Sequence, residues 1–151
     1  MPAITKSIQT EFKHAETESE IAACFEVMLE LRPMLTDVES FLEKVLRMQQ
    51  RGYKLLTAVQ NGVPVALAGY RKQEMLIHGR FFYIDDLITI ESKRGQGLGE
   101  QLLQFIFDLA KEQQLDKVIL DTGIGNSLAQ RFYFRMGMLA TGMHFTYDLE
   151  N

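Results

Sequence analysis

The chain has 151 residues, of which 46% are hydrophobic and 24% charged, and its net charge is −4. This composition is typical of a globular protein with one core, and the acidic balance argues against a general nucleic-acid binder. One cysteine excludes an intrachain disulfide and indicates a reducing compartment. Since we find neither a signal peptide nor an apolar run of about 18 residues, we expect a cytoplasmic protein that does not bind membranes.

The first part of the chain predicts a strand followed by two capped helices. Residues 8–13 alternate weakly in hydropathy, which favours a strand. Capping boxes follow at residues 17–20 and 36–39, each with threonine at the cap and glutamate three positions later. The helices that they open should end before Pro33 and near Gly52.

The middle of the chain predicts three strands. Residues 53–59 and 63–71 flank Asn61-Gly62, a strong hairpin turn. Residues 81–90 form a nearly unbroken apolar run, which is typical of a central strand covered on both faces.

The remaining elements complete an α/β fold. We predict a helix over 101–110, a short strand over 118–121, a helix over 126–136, and a last strand containing Tyr147 and Leu149. The order is β-α-α-β-β-β-α-β-α-β. A helix joins the long apolar strand to the short one, so these two should be parallel, whereas the earlier hairpins are antiparallel. The prediction is a three-layer α/β fold with a mixed sheet.

The glycine-rich segment R-G-Q-G-L-G at 94–99 lies between the long apolar strand and the next helix. Glycines let the backbone approach phosphate oxygens, N–H groups of the first helical turn point at them, and Arg94 adds positive charge. Glu100 and Leu102 stand where a dinucleotide fingerprint needs its third glycine, and no lysine and hydroxyl follow Gly99 as a P-loop requires. The segment predicts another kind of phosphate site; a connection without a ligand is the alternative.

A second motif, N-S-L-A-Q-R-F-Y-F-R-M-G-M at 126–138, lies on the last predicted helix. It resembles the N-x-x-A-x-x-F-Y-x-x-x-G-F helix of the GCN5-related N-acetyltransferases (GNAT), with Met138 in place of the usual Phe. The segment at 94–99 resembles the pyrophosphate-binding [R/Q]-x-x-G-x-G loop of the same family. The resemblance covers residues 8–149 and implies a single N-acetyltransferase domain over 1–151 with the GNAT-type fold. It also implies acetyl-CoA as cosubstrate, while three scattered histidines and one cysteine give no metal-binding spacing.

The resemblance implies where the coenzyme binds. Its pyrophosphate is expected on the glycine-rich loop and its pantetheine arm along the end of the preceding strand, whose backbone also supplies the oxyanion donor. Asn126 caps its helix and, by resemblance, contacts the coenzyme. The implied coenzyme-binding residues are Leu87, Ile88, Thr89, Arg94, Gly95, Gln96, Gly97, Leu98, Gly99 and Asn126.

Acetyl transfer to an amine needs a proton acceptor for the amine and, for the departing thiolate, an acid. The resemblance places Tyr133 near the coenzyme sulfur as that acid; a core aromatic is the alternative. Asp85 stands nine residues before Arg94, where amine-acetylating relatives carry an acidic residue, so it is the predicted base and Asp86 the second candidate. Neighbouring strand residues point to opposite faces, so only one of the two should reach the substrate. Carboxylates that only pair with nearby basic groups are the alternative.

The acceptor and the assembly are less constrained. We expect a small-molecule amine that attacks directly in a ternary complex, because Cys24 is far from both motifs and is predicted to be buried. A non-catalytic acyl-CoA-binding regulatory module and a protein N-terminal or lysine acetyltransferase stay as alternatives. His144 is a candidate for the substrate cleft. The short segment after Gly137 leaves little room for final strands, so an exposed sheet edge predicts a homodimer.

Overall fold

A computed structural model describes residues 7–150, so the outer ends of the predicted domain lie outside the described residues. The chain divides into two compact units, with the boundary between Ile119 and Leu120. None of the helices within 7–150 is long and apolar enough to cross a membrane. The elements are β1 (Thr10–His14), α1 (Glu18–Ala22), α2 (Phe25–Leu31), α3 (Val38–Gln49), β2 (Lys54–Gln60), β3 (Val63–Met75), β4 (Gly79–Thr89), α4 (Leu98–Glu112), β5 (Lys117–Leu120) and α5 (Ser127–Arg135).

The strands form one sheet in the order β1-β2-β3-β4-β5. Neighbouring strands from β1 to β4 are antiparallel, while β4 and β5 are joined through α4, the crossover that a parallel pair requires. Helices α1 to α3 bury Leu55 and Leu67, and α4 packs against β2, β3 and β4. The predicted mixed α/β class is confirmed.

Local signals form as the sequence predicts, with one shift. The capping box at Thr17 and Glu20 opens α1, and Asn61 and Gly62 take positive φ values of 51° and 76° in the hairpin turn. The second predicted helix, α3, is capped by Asp37 rather than by the predicted threonine. The aspartate carboxylate accepts a hydrogen bond from the Ser40 N–H at 2.8 Å.

Two predicted elements are wrong. The first predicted helix is broken into α1 and α2 by a turn at Ala23 and Cys24, where the Cys24 N–H bonds to Ile21 O, three residues back. The predicted last strand is absent, since residues 138–150 form neither helix nor strand. Alternating apolar residues supply one face of a strand, but a strand also needs a neighbour to pair with its backbone.

Candidate active site

A β-bulge in β4 places the two predicted carboxylates. The pairing with β3 passes from Gly69 opposite Asp86 to Tyr70 opposite Ile84, so Asp85 is an extra residue without an opposite partner. The bulge breaks the strict alternation of side chains. The expectation that Asp85 and Asp86 point to opposite faces is therefore wrong, and both carboxylates belong to one polar cluster.

Asp85 is held by Arg71 on β3. The arginine Nε donates to Oδ1 at 3.1 Å and its Nη2 donates to Oδ2 at 2.5 Å, which is the bidentate geometry of a strong pair. Burial raises the pKa of Asp85 and outweighs the opposing effect of Arg71. The hydrogen bond with Asp85 raises the pKa of Arg71. The site therefore contains a carboxylate that binds a proton more readily than an exposed aspartate does.

Asp86 lies deeper and is held by two donors. The Tyr53 hydroxyl donates to its Oδ2 at 2.7 Å, and Arg32 Nε donates to its Oδ1 at 3.1 Å. Arg32 Nη2 also donates to the Asp85 carbonyl oxygen at 2.8 Å. Burial, followed by the charge of Asp86, raises the pKa of Tyr53 well above its usual value, so this phenol stays protonated.

The cluster depends on a glycine in the facing strand. A Cβ at position 69 would overlap the Tyr53 hydroxyl and would lie 2.7 Å from Asp86 Oδ2. Tyr53 is only 2% exposed, so its ring has no free space into which it can move. Glycine at position 69 is thus required for the contact between Tyr53 and Asp86.

The segment after the cluster is the one predicted to line the coenzyme path. Leu87, Ile88 and Thr89 are the last residues of β4, half-buried, with β3 on one side and β5 as the other neighbour. A short 3₁₀ turn, Glu91–Lys93, leads to Arg94, whose Nε donates to the Thr89 carbonyl at 3.3 Å.

The glycine-rich loop opens α4 earlier than the sequence predicts. Gly95 and Gly97 take positive φ values of 85° and 76°, Gly97 is the N-cap, and the helix begins at Leu98. Leu98 and Gly99 therefore lie in the first turn, whose N–H groups have no partner within the helix. A Cβ at either of the first two glycines would meet no atom within 4 Å, so the loop backbone faces open space. These features fit a diphosphate group.

Gln96 of this loop is anchored by a residue that the sequence analysis missed. Gln60, the last residue of β2, is 5% exposed, and its Nε2 donates to Thr10 Oγ1 at 3.0 Å and to Gln96 Oε1 at 3.2 Å. A polar residue inside a buried strand is the signal that predicts such a role.

The second unit carries the remaining predicted residues. Asn126 caps α5 by accepting a hydrogen bond from the Ala129 N–H at 3.1 Å, as predicted. Tyr133 is half-buried on α5 with its ring 5.3 Å from that of Phe132, and burial raises its pKa, so the phenol is protonated at neutral pH. Its role as the acid stays a prediction, as does the coenzyme contact of Asn126.

His144 has a partner in the same unit. Its Nδ1 lies 2.8 Å from Asp121 Oδ2, and both side chains are largely exposed, at 62% and 43%. The two residues are 23 positions apart, so no local sequence pattern indicates that they pair.

Sequence reasoning found both carboxylates but missed the residues that hold them. All four lie outside β4: Arg32 directly follows α2, Tyr53 directly precedes β2, and Gly69 and Arg71 lie on β3. The signal for Arg71 was an arginine that extends a buried apolar strand, since such a charge needs a partner. For Arg32 the sequence shows only an arginine before a proline.

Comparisons with known proteins identify the family. The sequence model of the acetyltransferase (GNAT) family matches residues 14–138. An uncharacterized N-acetyltransferase of Bacillus subtilis, YhdJ, is 31% identical over 122 residues, which are 80% of this chain and 85% of that protein. The aminoalkylphosphonate N-acetyltransferase of Salmonella typhimurium is 27% identical over 138 residues, 90% of this chain and 89% of that one.

A solved structure supports the fold. An aminoglycoside N-acetyltransferase in complex with CoA has a TM-score of 0.83 at 14% identity, over 98% of this chain and 99% of that chain. Since the family model spans most of the sequence, the chain belongs to the acetyltransferase (GNAT) family and is an acetyl-CoA-dependent N-acetyltransferase.

Proposed function

We propose that this enzyme acetylates the primary amine of a small molecule, by direct attack while both substrates are bound. The observation that carries the proposal is the carboxylate pair at the β4 bulge, immediately before the segment implied to bind the coenzyme. The names of two similar proteins support a small acceptor, since one acts on aminoalkylphosphonates and the other on aminoglycosides.

Asp85 is the proposed proton acceptor. As the amine nitrogen forms its new bond to the acyl carbon, the N–H bond breaks and the proton passes to the Asp85 carboxylate, directly or through a water. Its side chain is 21% exposed, against 11% for Asp86, whose two carboxylate oxygens accept hydrogen bonds from Tyr53 and Arg32. The raised pKa of Asp85 brings its basicity closer to that useful near neutral pH.

The other roles follow the resemblance. When bound, acetyl-CoA supplies the activated acyl group. The backbone of Leu87, Ile88 and Thr89 is proposed to donate to the carbonyl oxygen as negative charge develops on it. Arg94 and the first-turn N–H groups of α4 are proposed to hold the pyrophosphate. Tyr133 is proposed to donate its proton to the sulfur as the C–S bond breaks.

The state of Cys24 supports direct transfer over an acyl-enzyme. The thiol is fully buried and its Sγ lies 3.4 Å from the Glu20 carbonyl. Burial raises the pKa of Cys24 to about 12, so the nucleophilic thiolate is scarce at neutral pH. This is the chain's only cysteine.

The first experiment tests the coenzyme site. Thermal denaturation with acetyl-CoA should show a concentration-dependent rise in melting temperature, because a ligand that binds only the folded state stabilises it. Arg94→Ala should weaken that rise, and Lys111→Ala, an exposed and charge-matched change near the end of the same helix, should not. No shift at millimolar acetyl-CoA would contradict the site.

The second experiment tests the acceptor and the order of events. Thiol release is measured with small primary amines and with short peptides while both substrates are varied. Intersecting initial-rate lines are expected for a ternary complex, whereas parallel lines would indicate a covalent acyl-enzyme. Turnover of peptides alone would favour a protein acceptor and contradict the proposed substrate class.

A further inference from the structure

Arg32 is a fixed guanidinium that is still open to solvent. It is the C-cap residue of α2, and its side chain is 42% exposed. Yet its head group is anchored on Asp86 Oδ1 and on the Asp85 carbonyl oxygen. An anchored but exposed guanidinium loses little conformational freedom when it binds a ligand.

The anchoring leaves donors for that ligand. The contacts to Asp86 and Asp85 engage Nε and Nη2 of a guanidinium that carries five N–H groups. The planar fork of arginine matches the oxygens of a carboxylate or a phosphonate. Arg71 uses the same two nitrogens to hold Asp85, but its side chain is only 20% exposed, against 42% for Arg32.

The charges of the cluster favour a ligand with both signs. Arg32 and Arg71 balance Asp85 and Asp86, so the cluster is neutral as built. A plain amine approaches as a cation, so the cluster together with the bound amine then carries a net positive charge. A short amine that also carries an anion is neutral overall, and its anion meets a guanidinium while its amine meets the base.

We propose that the acceptor is a short primary amine bearing an anionic oxyacid group, a phosphonate or a carboxylate, and that Arg32 binds this group. The inference rests on the proposed function, with Asp85 receiving the amine proton. Arg32 Nη2 lies 2.8 Å from the main-chain carbonyl oxygen of Asp85, the same residue whose carboxylate is the proposed base. A short chain between the amine and the anion therefore suits the two contacts. Aminoalkylphosphonates, for which one similar protein is named, belong to this chemical class.

The test compares three amines of similar size: 2-aminoethylphosphonate, β-alanine and propylamine. In the unmodified enzyme, kcat/KM for at least one anionic amine should exceed that for propylamine by about 10- to 100-fold, the usual value of a charged hydrogen bond. The better of the two anionic amines identifies the oxyacid. Arg32→Gln should bring the ratio close to one, while Arg51→Gln, an exposed arginine outside the cluster, should preserve it.

The ratio is informative even if Arg32→Gln lowers the amount of folded enzyme, because both rates fall together. Arg32→Lys adds a second check, since it keeps the charge without the planar fork and should give an intermediate ratio. A ratio near one in the unmodified enzyme, or one that Arg32→Gln leaves unchanged, overturns the inference. Turnover of propylamine without discrimination would do so while leaving the proposed function intact; no turnover of any of the three, with larger amines still acetylated, would also do so.

Discussion

The polar cluster at the β4 bulge and the glycine-rich loop at 94–99 are built in opposite ways. The carboxylates of Asp85 and Asp86 are largely buried and already engaged by side chains from three other parts of the chain. The loop presents exposed backbone, held by Arg94 and by the contact from Gln60 to Gln96. Side-chain packing therefore prepares the proposed acceptor site, whereas local backbone conformation prepares the proposed coenzyme site. Changes in the first should alter catalysis or stability, and changes in the second should alter coenzyme binding.

The largest effect should come from Asp85→Asn. The substitution removes the proposed proton acceptor and should lower kcat by about 10²- to 10⁴-fold, with the acetyl-CoA thermal shift preserved. Because burial raises the pKa of Asp85, the activity of the unmodified enzyme should fall as the pH drops through that raised value and protonates the carboxylate. The variant should lack this decline. Asp108→Asn, an exposed change on α4, serves as the control, and an identical pH profile in Asp85→Asn would contradict the role.

A packing change in the same cluster should act on stability. Gly69→Ala places a methyl group against the buried Tyr53 hydroxyl, and overpacking of this kind costs about 1–3 kcal/mol. Urea unfolding measures the loss in the free energy of unfolding. Gly125→Ala is the matched control, because its Cβ would meet no atom within 4 Å. Equal free energies of unfolding for the two variants would show that the cluster accommodates the added methyl group without strain.

Loss of the Gln60 anchor of the glycine-rich loop should have a milder effect. Gln60→Leu removes the hydrogen bond to Gln96, and one neutral bond is worth about 0.5–1.5 kcal/mol. We expect the KM for acetyl-CoA to rise by roughly 2- to 10-fold while kcat changes little. Gln104→Leu, an exposed glutamine on α4, tests for unspecific effects. A change in kcat alone would contradict the division between the two regions.

The smallest effect is expected at His14, and it distinguishes loss of stability at low pH from loss of activity. His14 Nε2 lies 2.7 Å from the Tyr70 hydroxyl, and burial, followed by the charge of Lys54, lowers the pKa of His14 below 6.5. The fold favours the neutral ring, so this contribution to stability is present above pH 6.5 and is lost as the pH falls towards the lower folded value. Melting temperatures of His14→Gln should depend less on pH between 7 and 5 than those of the unmodified protein. Parallel curves would exclude His14 as the cause.

Much of the fold was predictable because its signals are local. The capping box at Thr17, the turn at Asn61-Gly62 and the cap at Asn126 each involve residues within four positions of one another. The glycine-rich loop was predictable for the same reason, since positive φ at Gly95 and Gly97 depends on the residue type itself.

The sequence by itself thus determined the fold class, the family motifs and which carboxylates to consider. Only the tertiary structure decided that Asp85 is a bulge residue, that Arg71 holds it, and that Arg32 reaches Asp86 from 54 residues away. It also shows that residues 138–150 do not form the predicted last strand. Strand register and pairing depend on which elements become neighbours, and that choice follows from burial of the whole core rather than from any short stretch of residues.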